Sequence, residues 1–127
     1  MQKKKRKSKS RKSSGVAEAL PPKYKSVWLF ALFDLPVDSK QAKRQYVQFR
    51  RSLLKQGFSM LQFSVYARYC PSEEASTVHR GALRATLPPE GQVRLLSVTD
   101  GQFDRMEVYF GKKREKTEDP PLQYMLF

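Results

Sequence analysis

Residues 27–57, VWLFALFDLPVDSKQAKRQYVQFRRSLLKQG, contain the change of hydrophobic period that decides the fold. Val27 to Phe33 is apolar on both faces, the pattern of a central strand covered on at least one side. Asp34-Leu35-Pro36 stops it, because proline removes a ladder donor. From Asp38 onward the spacing becomes helical. Asp38 reads as the N-cap with Gln41 three residues on, a capping-box-like pair. Ala42, Tyr46, Phe49 and Leu53 recur along one stripe, and Lys40, Arg44, Arg51 and Lys55 recur on the opposite face. Gly57 then suits the left-handed position just past a helix end.

Working outward toward the C-terminus, residues 58–70, FSMLQFSVYARYC, form an extended segment rich in aromatic and β-branched side chains. Pro71-Ser72 with Glu73-Glu74 opens a second helix, its acids placed well against the N-terminal dipole. Ala75, Val78, Ala82 and Leu83 form its apolar side, Gly81 weakens it, and Pro88-Pro89 ends it. Gln92 to Thr99 reads as a strand, and Met106 to Phe110 as another. Gly111 to Lys116 is a charged loop, and Leu122 to Phe127 a short apolar terminal strand. Strands joined through amphipathic helices predict an α+β sandwich with both helices on one face of the sheet. So apolar a terminal strand suits contact with another chain.

The chain has 127 residues and a formal net charge of +13. Ten of the 25 basic groups and one of the 12 acids lie in residues 1–25, so the remainder is only mildly basic. Residues 1–22 therefore read as a disordered Lys/Arg/Ser leader adding non-specific phosphate affinity. Residues 23–111 read as the folded domain, and 112–127 as a basic loop and partner-facing strand. No apolar run approaches the roughly 20 residues of a membrane span, and the N-terminus lacks the apolar segment of a secretory signal. One cysteine, Cys70, cannot form an intrachain disulfide, and one histidine, His79, cannot supply a zinc cluster. With no phosphate-binding glycine motif and no nucleophile elbow, a cytoplasmic binder of polyanions is the expectation.

Asp34 is the leading chemical candidate. An acid at the carboxyl end of a buried strand is held by rigid backbone yet reaches solvent, which suits a hard divalent cation such as Mg²⁺. The alternative is that it accepts backbone donors in the Leu35-Pro36 turn. One carboxylate is too few for an unaided site, and a symmetric dimer would double the count. Lys40, Lys43, Arg44 and Arg51, with Arg50 and Lys55, form either a solvated face or part of a phosphate-binding surface. Lys112, Lys113 and Arg114 favour the latter, having few acids beside them. Phe58, Phe63, Tyr66 and Tyr69 could stack bases, but core packing is the reading taken. His79 reads as a surface residue and Cys70 as a small buried hydrophobe.

Three blocks, LFALFDLPVDS, FRRSLLKQGFSMLQFSVYARYCPS and PPEGQVRLLSVTDGQFDRMEVYFG, resemble CRISPR-associated protein two of type II systems over about residues 24–112. The resemblance implies a ferredoxin-like fold, an extra C-terminal strand, and a homodimer whose sheets face each other. It implies that Asp34, near the two-fold axis, is the Mg²⁺ ligand of a phosphodiesterase (endonuclease) activity, with Ser64 close by. Lys112, Lys113 and Arg114 correspond to positions that track double-stranded DNA, and Lys40 and Lys43 to a similar DNA-facing region. The partners it implies are the CRISPR-associated integrase and, beyond it, the type II effector and accessory adaptation proteins, in a prokaryotic cytoplasm. The function it implies is spacer acquisition, with nuclease action as the alternative. A ferredoxin-like fold needs a hairpin within residues 58–70, where no turn dipeptide stands. Either the segment bends near Phe63-Ser64 or one long strand serves both roles.

Overall fold

The computed structural model describes residues 25–121. The basic leader over 1–22 and the terminal strand over 122–127 lie outside the described residues. Strand β1 (Val27–Asp34) leads to helix α1 (Lys40–Lys55), then β2 (Ser59–Gln62) and β3 (Val65–Cys70). Helix α2 (Glu73–Arg84), strand β4 (Gln92–Thr99) and a one-turn helix α3 (Asp100–Asp104) follow. Short strands β5 (Val108–Phe110) and β6 (Lys113–Glu115) close the described chain. The main sheet has the order β2-β3-β1-β4, with β1 antiparallel to both β3 and β4. Two interleaved strand-helix-strand units of this order make an α+β, ferredoxin-like sandwich.

Strand alternation divides β1 between two cores. Val27, Leu29, Ala31 and Phe33 face Phe49 and Leu53 of α1 and Leu83 of α2. Both helices therefore cover one face, as the pattern predicts. Trp28 faces the other way, with Ala67, Tyr69 and Phe103. There Trp28 stacks on Phe103 at 4.0 Å and 10° and donates its Nε1–H to Asp100 Oδ1 at 2.9 Å. Burial pushes the Asp100 carboxyl above its ordinary value, with the Trp28 hydrogen bond opposing the rise. Helix α3 was absent from the sequence reading; Thr99 and Gln102 close it with a reciprocal capping box.

Several local expectations change. The N-cap of α1 is Ser39, whose side chain accepts from Ala42 N; Asp38 stands one residue too early to reach that donor. The inward face of α2 centres on Ser76 and Leu83, and Val78 is 69% exposed. Ser76 can be buried because its hydroxyl donates to Glu73 O at 2.7 Å, and its small size suits a helix lying close to a sheet. Residues 58–70 take the hairpin alternative, turning at Phe63-Ser64 with Ser64 at φ 63°. The segment read as a charged loop pairs as a hairpin, Tyr109 opposite Arg114 and Phe110 opposite Lys113. Gly111 at φ 66° makes its turn. The hairpin is a separate two-stranded sheet.

Candidate functional site

Asp34 is the last residue of β1, and its side chain is exposed where the rest of the strand is buried or half-buried. Two tight backbone constraints hold that strand end. On the β3 side, Phe33 N–H donates to Ser64 O at 3.1 Å, so the hairpin turn is tied to the residue before Asp34. On the β4 side, Gly91 has φ +93°, and a Cβ there would stand 2.7 Å from both Asp34 O and Leu35 Cδ2. Asp34 thus projects from a fixed platform rather than a loose turn. By alternation it shares the face of Phe30 and Leu32, the face that the two long helices leave open.

That open face is largely apolar, with Gln62, Glu107 and Glu118 also at its cleft, and it is only partly covered. Phe30 and Leu32 are half-buried, Leu96 opposite Phe30 is 52% exposed, and Met106, Val108 and Tyr109 edge a cleft of about 320 Å³ over Phe30, Leu32, Leu61 and Val65. Asp34 lies at the rim of this patch. Arg94 pairs with Leu32 and donates Nε–H to Gln92, which pairs with Asp34. The sequence reading missed Arg94. Its place in the alternation of QVRLLSVT was the available signal.

Among the described residues no three His, Cys, Asp or Glu side chains are grouped as a metal-binding cluster. Asp34 is a hard oxygen donor of the right chemistry for Mg²⁺, and a second copy would add a second Asp34 carboxylate. Neither His79 nor Cys70 adds reactivity. His79 Nδ1 lies 2.9 Å from Gln56 Oε1, linking α2 to the end of α1, and burial with nearby Arg68 pulls its pKa down. Cys70 is buried, and that burial pushes its thiol pKa up.

The predicted cations do not form one patch within a single chain. Lys40, Lys43, Arg44 and Arg51 are exposed along α1, in the layer behind the sheet. Lys112, Lys113 and Arg114 are exposed on the β5–β6 hairpin, whose first strand borders the open face. Lys113 also pairs with Glu115 at 3.5 Å, an exposed contact worth little. Arg50 is committed elsewhere, donating Nε–H to Tyr66 Oη at 3.0 Å. Of the four aromatics considered for base stacking, Phe58, Tyr66 and Tyr69 are core residues, but Phe63 is 79% exposed.

The class these observations define is a ferredoxin-like α+β sandwich with an exposed aspartate at the end of its first strand. The chain matches the family model described as CRISPR associated protein Cas2 over residues 27–106. It is 48% identical over 101 residues to the CRISPR-associated endoribonuclease Cas2 of Parvibaculum lavamentivorans, covering 80% of this chain and all of that protein. It is 41% identical over 104 residues to the protein of the same name from Flavobacterium psychrophilum, covering 82% and 90%. With that of Acidovorax ebreus it shares 47% over 83 residues, covering 65% and 81%. The chain belongs to the Cas2 family of CRISPR-associated proteins.

Proposed function

We propose that the chain serves CRISPR spacer acquisition as a homodimer that bridges integrase dimers and holds duplex DNA by its phosphate backbone. The open apolar face supports self-association, because contiguous exposed apolar surface marks protein contacts. Pairing through that face would bring the two Asp34 rims and the two β5–β6 hairpins to one side of a shared interface. The observation that carries the scaffold reading is the balance of groups on the surface: exposed cations along α1 and the β5–β6 hairpin, and no cluster of three metal-binding side chains among the described residues. Cations so placed bind phosphates without reading sequence. Integrase contact, and beyond it contact with the effector and accessory adaptation proteins of a type II system, belongs to the same reading.

A second reading is favoured by the firmly held Asp34 and by the name endoribonuclease that the relatives carry. In it, Asp34 and the partner's Asp34 hold Mg²⁺, and the dimer cleaves RNA or duplex DNA. Such an ion, when bound, supplies charge neutralisation and water activation at a phosphodiester. The chain's own part is to hold the carboxylates still, through Ser64 and Gly91.

Asp34→Ala separates the readings. On the scaffold reading, spacer integration by the integrase with the variant stays within several-fold of wild type, and assembly on DNA is intact. Collapse of integration while assembly persists would overturn it. On the nuclease reading, Mg²⁺-dependent cleavage disappears in variant protein purified identically to wild type. Unchanged cleavage would assign that activity to a contaminant.

A further inference from the structure

Helix α1 has an outer face that the fold leaves bare. Phe49 and Leu53 are buried against the sheet. Turned away from them are Val47, 41% exposed, and Leu54, 43% exposed. A single exposed valine or leucine is ordinary. These two stand seven residues apart, so they fall on one line, about two turns from each other along the helix.

Cations close on that line from both sides. Lys43 and Arg50 stand four residues before and three after Val47, on one margin. Arg44 and Arg51 stand three before and four after it, on the other. All four are exposed, and Arg50 is held through its bond to Tyr66. From Lys40 to Lys55 the helix contains no acid. Among the described residues neither ion pair falls on α1, so these charges are not neutralised within the chain.

Phosphates gain nothing from an apolar seam. An apolar line between charged margins is the pattern of one helix packing on another, with apolar side chains meeting along the seam and the flanking charges selecting the partner. Every margin residue here is positive, so a second copy of α1 would be repelled and the complementary helix carries Asp or Glu at its margins. The face also stays free in the proposed dimer. Helix α1 covers the side of β1 that carries Leu29 and Phe33, opposite the open face through which the copies would pair. We infer that the outer face of α1 docks an acidic amphipathic helix of a partner protein, its apolar seam on Val47 and Leu54 and its carboxylates on the flanking cations. This goes beyond the proposed DNA binding, and duplex DNA and the acidic helix would compete for the α1 cations.

The test uses the full chain and two synthetic peptides of equal composition. One places leucine at every seventh position with glutamate on both sides of that line, and the other has the same residues in scrambled order. Wild type should bind the patterned peptide roughly tenfold more tightly than the scrambled one. The double variant Val47→Ser, Leu54→Ser changes only exposed positions and should keep the unfolding midpoint of wild type. It should lose roughly tenfold of affinity for the patterned peptide while its affinity for duplex DNA stays unchanged. Equal binding of the two peptides by wild type, or undiminished binding of the patterned peptide by the double variant, would mean that α1 reads charge alone and would overturn the inference. A matching loss of DNA affinity in the double variant would assign the seam to nucleic acid and overturn it as well. Binding of the patterned peptide with no binding of duplex DNA would sink the nucleic-acid reading and leave the docking face standing.

Discussion

Gly91 fixes the strand end that carries Asp34. Its φ of +93° is open to glycine at low cost, and a β-carbon would collide with the Asp34 carbonyl and the Leu35 side chain. Gly91→Ala combines a strained backbone with a clash against main chain, so a loss of about 2 kcal/mol or more is expected. Urea unfolding of the variant measures it. Because the clash falls on the strand end, any Asp34-dependent activity should decline even where the protein remains folded. A loss below about 0.5 kcal/mol would mean that the end of β1 yields easily. The sequence offered only a glycine following Pro88-Pro89-Glu90, a turn signal. That this turn packs on Asp34 depends on β4 lying beside β1, which no local pattern states.

At the scale of elements, the β2–β3 hairpin links fold and site. Its turn has no Asn-Gly or Asp-Gly signature, and Ser64 occupies a left-handed conformation that costs an L-residue about 1–2 kcal/mol. Glycine removes that strain and adds freedom to the unfolded chain. Ser64→Gly should therefore leave stability unchanged or raise it by up to about 1 kcal/mol, as judged by the denaturation midpoint. A drop of more than about 1 kcal/mol would show that the serine side chain itself holds the turn. The α helices were easier to read, since caps and periodic stripes are local. Even so, Val78 was misplaced in the α2 stripe and Ser76 left out of it, because a buried serine satisfied by Glu73 O looks polar in sequence and behaves as a small core residue.

For the whole molecule, charge and exposed apolar surface argue together. Phosphate neutralisation makes log affinity fall with log salt at about 0.9 per contact on duplex DNA. Deleting residues 1–22, which hold much of the positive charge, should reduce both affinity and the steepness of that fall without changing the unfolding midpoint. An unaltered slope would mean that the leader adds no phosphate contact to the proposed DNA binding. The folded part keeps its own cations on two layers, α1 behind the sheet and the β5–β6 hairpin beside the open face. In one copy these two groups therefore stand on different layers, and the proposed dimer is what would join them into one track.

By itself the sequence determined the α+β class, both long helices, the buried first strand, and Asp34 as the acid at its end. Each of these follows from short-range periodicity, turn chemistry and capping, which a few neighbouring residues specify. Tertiary structure alone decided that Phe63 is exposed while Tyr66 is not, and that Gly91 and Ser64 clamp the strand end. It also decided that the cations divide between two layers. Those outcomes depend on which strands become neighbours and which face each helix covers, and these are contacts between residues far apart in the chain.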